Sequence, residues 1–342
     1  MLTVRDTLPD GLLARAAHEL HQALTGPTLI HLPGRRPEPL FVSALLHGDE
    51  PTGWDGVRRA LQSHRGELPR ALSLFIGNVK AARQGRRLLP GQSDYNRIWT
   101  ETAAGNAPEH LIACAVLDEM RARHVFASID IHNNSGLNPH YGCVRRLDHR
   151  FLQLATLFSR TVVYFTKPDG VQAEAFAPLC PSVTVECGQP NQPAGIEHAA
   201  DYIYACLQLA EIPAHPVAAH DIDLYHSVGI VKVPADVSVS FGNAAADLQL
   251  IEDLDHLNFR ELPVDTLLGR VRANSNARLD VWDEHGHNIA ARFLRIIDGE
   301  IRTISPLMPS MFTVDVRALR DDCLGYLMER PATPVHDQRK AG

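Results

Sequence analysis

The run His47-Gly48-Asp49-Glu50 sets an imidazole and a carboxylate three residues apart, near enough to face one cation if the backbone turns sharply between them. Gly48 is expected to permit that turn, because glycine enters conformations closed to other residues. A third donor must come from elsewhere, and His132, in IDIHNN, is the candidate. Two histidines and one carboxylate, with a fourth position left for water, form a known catalytic zinc set. The chemistry indicated is metal-assisted hydrolysis with one Zn2+ per chain. The bland alternative makes each histidine a satisfied loop residue, and a lone His-x-x-Glu carries little weight against it. Asp130 precedes His132 by two, so on a strand both side chains share a face. It could accept a hydrogen bond from the imidazole and fix its tautomer; a solvated strand-end acid is the competing reading. Glu186, inside TVECG, would be costly to bury unpaired, so a cation or metal partner is expected for it.

The elements that must position these groups read as an α/β fold: a mixed, mostly parallel sheet flanked by helices. Apolar runs at 28–32, 40–48, 71–78, 126–132, 161–166 and 182–188 are strand-like. Helical spacing marks 12–24, 108–124 and 193–211, and Pro51 opens a further helix, proline being tolerated in a first turn. Alternating strands and helices place ligands beyond the carboxyl ends of strands. LLHGDE, IDIHNN and TVECG each end an apolar run in polar residues, so His47, His132 and Glu186 are expected at strand ends. After IPAHP (212–216) the texture changes to short alternating segments bounded by turn residues. Residues 1–213 are therefore read as the catalytic domain and 217–330 as a smaller, β-rich C-terminal domain capping the cleft. The tail 331–342 is read as mobile.

Bulk properties narrow the class. In 342 residues, 45% hydrophobic and 21% charged, an ordinary globular protein is expected. The net charge of −7 argues against a general nucleic-acid partner. The first residues show no basic stretch leading into an apolar core, and no run approaches the roughly 20 apolar residues that would span a membrane. The six cysteines form no CxxC pair, which points to reduced thiols in a cytoplasmic protein and away from a thiolate zinc site. A homo-oligomer is compatible with all of this. The early strands are followed by no GxGxxG, which excludes a Rossmann-type dehydrogenase.

Taken together, HGDE, then N-x8-R-x6-D-x-N-R beginning at Asn78, then DIHNNSG, then ECGQP before a helix resemble the succinylglutamate desuccinylase/aspartoacylase family, within the zinc carboxypeptidase superfamily. The motifs fall in family order over residues 40–210. The resemblance implies that His47, Glu50 and His132 bind zinc and that Glu186 is the general base and acid. It implies that Arg87 polarises the scissile carbonyl and that Asn96 and Arg97 hold a substrate carboxylate, with Asp94 structural. General chemistry agrees. A carboxylate can take a proton from water and pass it to the leaving amine, and an arginine fork matches a carboxylate. Arg87 belongs to a cluster with Arg83 and Arg86, for which a solvated helix face is the alternative; Arg86 is the neighbouring candidate for the arginine role.

Three departures bear on the substrate. Aspartoacylases carry an arginine about ten residues before the catalytic glutamate, and here no arginine lies between Arg160 and Glu186. They also use a tyrosine from the C-terminal domain, and none lies between Tyr225 and Tyr326. His132 is followed by Asn133-Asn134-Ser135 rather than the threonine-alanine sequence associated with succinylglutamate desuccinylases. The substrate expected is a small anionic molecule, an N-acyl amino acid or related carboxylate-bearing amide. A metallocarboxypeptidase acting on peptides or cell-wall fragments shares the same metal ligands, and a non-catalytic zinc-containing ligand-binding protein is the third reading. His140 and Tyr141 read as pocket contacts or as packing. Cys143 or Cys187 could act as a nucleophile with His132 as base, although buried cysteines are more often inert.

Overall fold

The apolar runs of the first two thirds become neighbouring strands in the computed structural model, which describes residues 1–104 and 107–331. The chain divides into two compact units. One comprises Met1–Asn133 with His140–Asp223; the other comprises Asn134–Pro139 with the chain from Leu224.

In the first unit the strands are β1 (Thr3–Arg5), β2 (Thr28–Leu32), β3 (Gly34–Ala44), β4 (Leu68–Ile76), β5 (Ala127–His132), β6 (Tyr141–Val144), β7 (Thr161–Tyr164) and β8 (Ser182–Glu186). They lie in the order β1-β2-β4-β3-β5-β8-β6-β7. β2 with β4 and β6 with β8 run antiparallel, and the other neighbours are parallel. Central strands are buried along most of their length, which suits their continuous Leu, Val, Ile and Phe runs. The helices are α1 (Thr52–Ser63), α2 (Val79–Ala82), α3 (Glu101–Ala104), α4 (His110–Ala122), α5 (His149–Thr156), α6 (Gln172–Phe176) and α7 (Pro193–Gln208). α1 buries Gly53, Trp54, Gly56, Val57 and Ala60 at helical spacing. A Cβ on Gly56 would come within 2.8 Å of the Ala199 Cβ, so its glycine allows α1 and α7 to approach closely.

Two local expectations are corrected. Residues 12–24 form no α-helix but two 3-10 pieces, Leu12–Ala14 and Ala17–Gln22. Ala16 between them is extended, and the Glu19 carboxylate accepts its N–H at 2.9 Å. The helical apolar spacing is still used, since Leu12, Leu20 and Leu24 are buried. The strand expected over 40–48 instead ends at Ala44, because Leu45 enters the left-handed region at φ 58° and turns the chain out of the sheet before His47.

The second unit is built from β9 (Asp223–Lys232), β10 (Val239–Phe241), β11 (Leu248–Leu250), β12 (Leu267–Val271), β13 (Asp280–Trp282), α8 (Ala290–Phe293), β14 (Leu294–Ile297), β15 (Glu300–Thr303), β16 (Met308–Ser310), α9 (Val316–Asp321) and β17 (Gly325–Glu329). β9, β17 and β16 are successive antiparallel neighbours, and β13 also pairs with β9. β10-β11-β12-β15-β14 form a five-stranded sheet. Leu248, Leu268, Val281, Phe293, Phe312 and Leu327 lie in the core of this unit. Residues 134–139, which a linear reading leaves with the first unit, are bound within this one. Asp255 accepts the Leu137 N–H (3.2 Å), Asn258 donates to the Leu137 carbonyl (3.1 Å), and Ser135 donates to Thr313 (2.9 Å). The tail read as mobile lies outside the described residues beyond Pro331. No described helix is long and apolar enough to cross a membrane.

Candidate metal centre

Strand register builds one side of the centre. Asp130, two residues before His132 on β5, is in register with Ser43 on β3, and His132 is in register with Glu186 on β8. Asp130 is fully buried. One of its oxygens accepts from Ser43 Oγ at 2.6 Å and the other lies 2.8 Å from His132 Nε2. The opposite ring nitrogen, Nδ1, lies 2.7 Å from Glu50 Oε2. The Cys187 N–H donates to the His132 carbonyl at 3.0 Å, so the chain just after Glu186 is tied to β5.

Loops build the other side. His47 stands three residues past the end of β3, with Nδ1 2.8 Å from Glu50 Oε1 and Nε2 2.9 Å from Asp94 Oδ1. Gly48 serves a purpose other than the expected turn. Its φ is not positive, and a Cβ there would meet the Ala82 nitrogen at 2.3 Å and the Arg86 carbonyl oxygen at 2.7 Å. It is a close approach between backbones, sealed by the Gly48 N–H donating to the Arg87 carbonyl (3.1 Å). Arg87 is half-buried, donates from Nη2 to Asp94 (2.9 Å), and holds Nη1 3.8 Å from Glu50 Oε1; Arg83 and Arg86 are exposed. The structure therefore sets Arg87, and not Arg86, beside Glu50 and Asp94.

The polar segment 94–97 is held out by apolar anchors. Tyr95, Ile98 and Trp99 are buried, and Trp99 packs edge-on against Phe75 and Phe176. Asp94 also accepts the Asn96 N–H at 2.7 Å. Asn96 is buried behind His132: its Nδ2 lies 3.2 Å from His132 Nε2, and its Oδ1 accepts the Gln172 N–H at 3.1 Å. Arg97 donates from Nη1 to the Asn96 carbonyl at 2.9 Å. Asn78 stands apart from the metal group, capping α2 and exchanging amide hydrogen bonds with Gln92.

His47, Glu50 and His132 each offer a donor atom, all within 4.8 Å of one another. The donor chemistry fits a cation. Both Nδ1 atoms face the Glu50 carboxylate, and both Nε2 atoms face an outer carboxylate. A shared cation would use the Nδ1 lone pairs and leave each Nε2–H to donate to Asp94 or Asp130, an arrangement that fixes both tautomers. The local field agrees. Burial works against protonation of His47, as does Arg87, yet Glu50 and Asp94 raise its pKa. Burial likewise opposes Asp130 and Glu50 at His132, whose pKa ends well above the ordinary value. Burial would raise Glu50 and Asp94, but the imidazoles, and Arg87 beside Asp94, hold both below the usual carboxylate range. Glu186 goes the other way. Burial, with the charges of Glu50 and Asp130 adding, pushes it up to about 8 although His132 and His47 oppose.

The cysteines near the centre are poor nucleophiles. Burial first, and then the Glu186 charge, raises the pKa of both Cys143 and Cys187, which keeps them thiols. Tyr141 is buried in register with Glu186, and His140 packs 5.0 Å from the His198 ring. Sequence reasoning missed Ser43, whose signal is a polar residue inside the apolar run LFVSALL, and it gave Asp94 too small a part. Asp94 grips both His47 and Arg87.

Residues 38–209 match a family described as the succinylglutamate desuccinylase/aspartoacylase catalytic domain. No curated protein matches the chain in sequence. Solved structures similar to it include a succinylglutamate desuccinylase/aspartoacylase from Rhodobacter sphaeroides, 13% identical, with a TM-score of 0.60 over 88% of this chain and 87% of that one. The succinylglutamate desuccinylase from Chromobacterium violaceum is 14% identical, with a TM-score of 0.54 over 88% and 87%. Murine aminoacylase 3 is 14% identical, with a TM-score of 0.53 over 86% and 96%. At these identities the likeness is one of fold.

Proposed function

The chain belongs to the succinylglutamate desuccinylase/aspartoacylase family, and from that premise we propose that it is a zinc-dependent hydrolase cleaving the amide bond of a small N-acyl amino acid or related carboxylate-bearing amide. The observation that carries the reading is the convergence of His47, Glu50 and His132, with Asp94 and Asp130 behind the two rings. Two imidazoles and one carboxylate suit zinc better than the oxygen-loving magnesium or calcium.

Zinc held there would supply Lewis acidity and make a nearby water acidic near neutrality. The protein's own groups do the rest. Glu186, buried at the end of β8 in register with His132, takes the proton of the attacking water and returns it to the leaving amine. Arg87, aimed by Asp94, stabilises the negative charge that develops on the carbonyl oxygen. Asn96 and Arg97 are assigned to the substrate carboxylate; a guanidinium can meet it with two parallel N–H bonds. A cytoplasmic location suits the six free cysteines.

The test is metal analysis together with a screen of N-acyl amino acids, scored for released amine with and without a chelator. About one zinc per chain and chelator-sensitive release are expected. Protein that carries no transition metal, or release indifferent to the chelator, would overturn the proposal.

A further inference from the structure

Asn133 directly follows His132 and is buried, 5% exposed. Its backbone N–H donates to Glu50 Oε2 at 3.1 Å. Its side chain reaches in two other directions. Oδ1 accepts the N–H of Thr52, the first residue of α1, at 3.2 Å, and Nδ2 donates to the carbonyl of Gly188 at 2.8 Å. One planar amide thus joins the helix that follows His47 and Glu50 to the turn that follows Glu186.

The chemistry is specific to an amide. The Thr52 N–H belongs to the first turn of a helix and has no partner within it. The Gly188 carbonyl sits on a residue at φ +73°. One partner is a donor and the other an acceptor, and a primary amide carries both complements on separate atoms of one planar group, so it can meet two partners that lie in different directions. The turn after Glu186 is otherwise fixed at Cys187, the residue before Gly188. The Cys187 N–H is bound to the His132 carbonyl, and the Cys187 carbonyl lies so close to α7 that a Cβ on Gly195 would stand 2.3 Å from it. Gly188 is the next point along the chain, and the Asn133 side chain grips it.

Resting on the proposed hydrolase reading, we propose that Asn133 is a positioning residue that holds the Glu186 turn at a set distance from the Glu50 loop. Its backbone bond orients the ligand carboxylate, and its side chain locks the base to the same frame. Groups that orient metal ligands from behind are worth about 10–100-fold in affinity or activity.

The experiment compares wild type, Asn133→Ala and Asn133→Asp, each loaded with zinc to equal occupancy. Two quantities are read: the rate of zinc transfer to a colorimetric chelator, and kcat and KM on the best N-acyl amino acid. Asn133→Ala is expected to release zinc about 10-fold faster and to lose about 10–100-fold in kcat, with KM within about twofold. Asn133→Asp keeps the acceptor for Thr52 but sets an acceptor against the Gly188 carbonyl. It should lose kcat with a smaller change in zinc release, and it carries the test should the alanine variant not fold. A lowered melting temperature with kcat and zinc release within twofold of wild type would show a structural role alone and overturn the proposal. Should wild type bind zinc but hydrolyse none of the amides, the functional reading fails by itself. Zinc release then decides on Asn133, and equal rates in wild type and Asn133→Ala overturn it.

Discussion

The two imidazoles of the candidate metal group are backed by carboxylates of different construction. Asp130, behind His132, is fully buried on a central strand and shares its oxygens between the ring and Ser43. Asp94, behind His47, stands on a loop, is 16% exposed at its side chain, and divides itself among the ring, Arg87 and the Asn96 N–H. The strand side is a frame with one duty, to orient the His132 ring. The loop side couples that duty to the groups assigned to substrate, so damage there should spread further.

The largest effect belongs to neither backing carboxylate. Glu186→Gln removes the proton carrier and should lower kcat by about 10²–10⁴ while zinc content stays at the wild-type level; turnover close to wild type would take Glu186 out of the mechanism. Arg87→Ala comes next, with an expected loss of about 10²–10³ in kcat at full zinc occupancy. If KM alone changes, Arg87 binds substrate and does not act on the oxyanion. Then comes the direct contest between the two sides. Asp94→Asn and Asp130→Asn should each weaken zinc binding by about 10–100-fold, measured by competition with a chelator. At saturating zinc, Asp130→Asn should recover most of its kcat and Asp94→Asn should not, because Asp94 also aims Arg87. Equal recovery would erase the distinction between strand and loop.

The smallest effect comes from a buried imidazole with no such backing. His31 lies 2.9 Å from Ser73 Oγ and 3.6 Å from a Glu119 carboxylate that is 38% exposed. Burial and then Arg123 lower its pKa below 6.5, the reverse of His47 and His132. The unfolded chain therefore binds the proton more readily below pH 6.5, and the stability His31 contributes is present above that value and lost as pH falls through it. Melting temperatures across this window should show a shallower decline in His31→Gln than in wild type. An unchanged slope would show that His31 does not control it.

What was legible in the sequence follows the same division. Strand alternation placed Asp130 and His132 on one face, and the apolar runs before His132 and Glu186 marked strand ends that the structure has. The loop side resisted such reasoning. Nothing local announces that Leu45 turns into the left-handed region, or that Gly48 is required by backbones 33 to 38 residues further along the chain rather than by its own turn. The linkage of Asp94 to both His47 and Arg87 could be reached only through the spacing of a family motif. Ser43 went unseen, and Asn133 was read only as part of a motif, because their partners, Asp130, Thr52 and Gly188, lie far away in sequence. The helix expected at 12–24 failed for another reason: its periodicity was real, but two short 3-10 pieces satisfy it equally well.

The excursion of residues 134–139 has a consequence for anyone dissecting the molecule. The chain leaves the first unit immediately after Asn133, gains its partners among Asp255, Asn258 and Thr313, and comes back at His140. A truncation near residue 223 would therefore strand six residues without their hydrogen-bonding companions, starting one position beyond Asn133. A fragment holding the first unit alone would have to be engineered across that gap, with a short linker replacing 134–139, rather than obtained by a single cut.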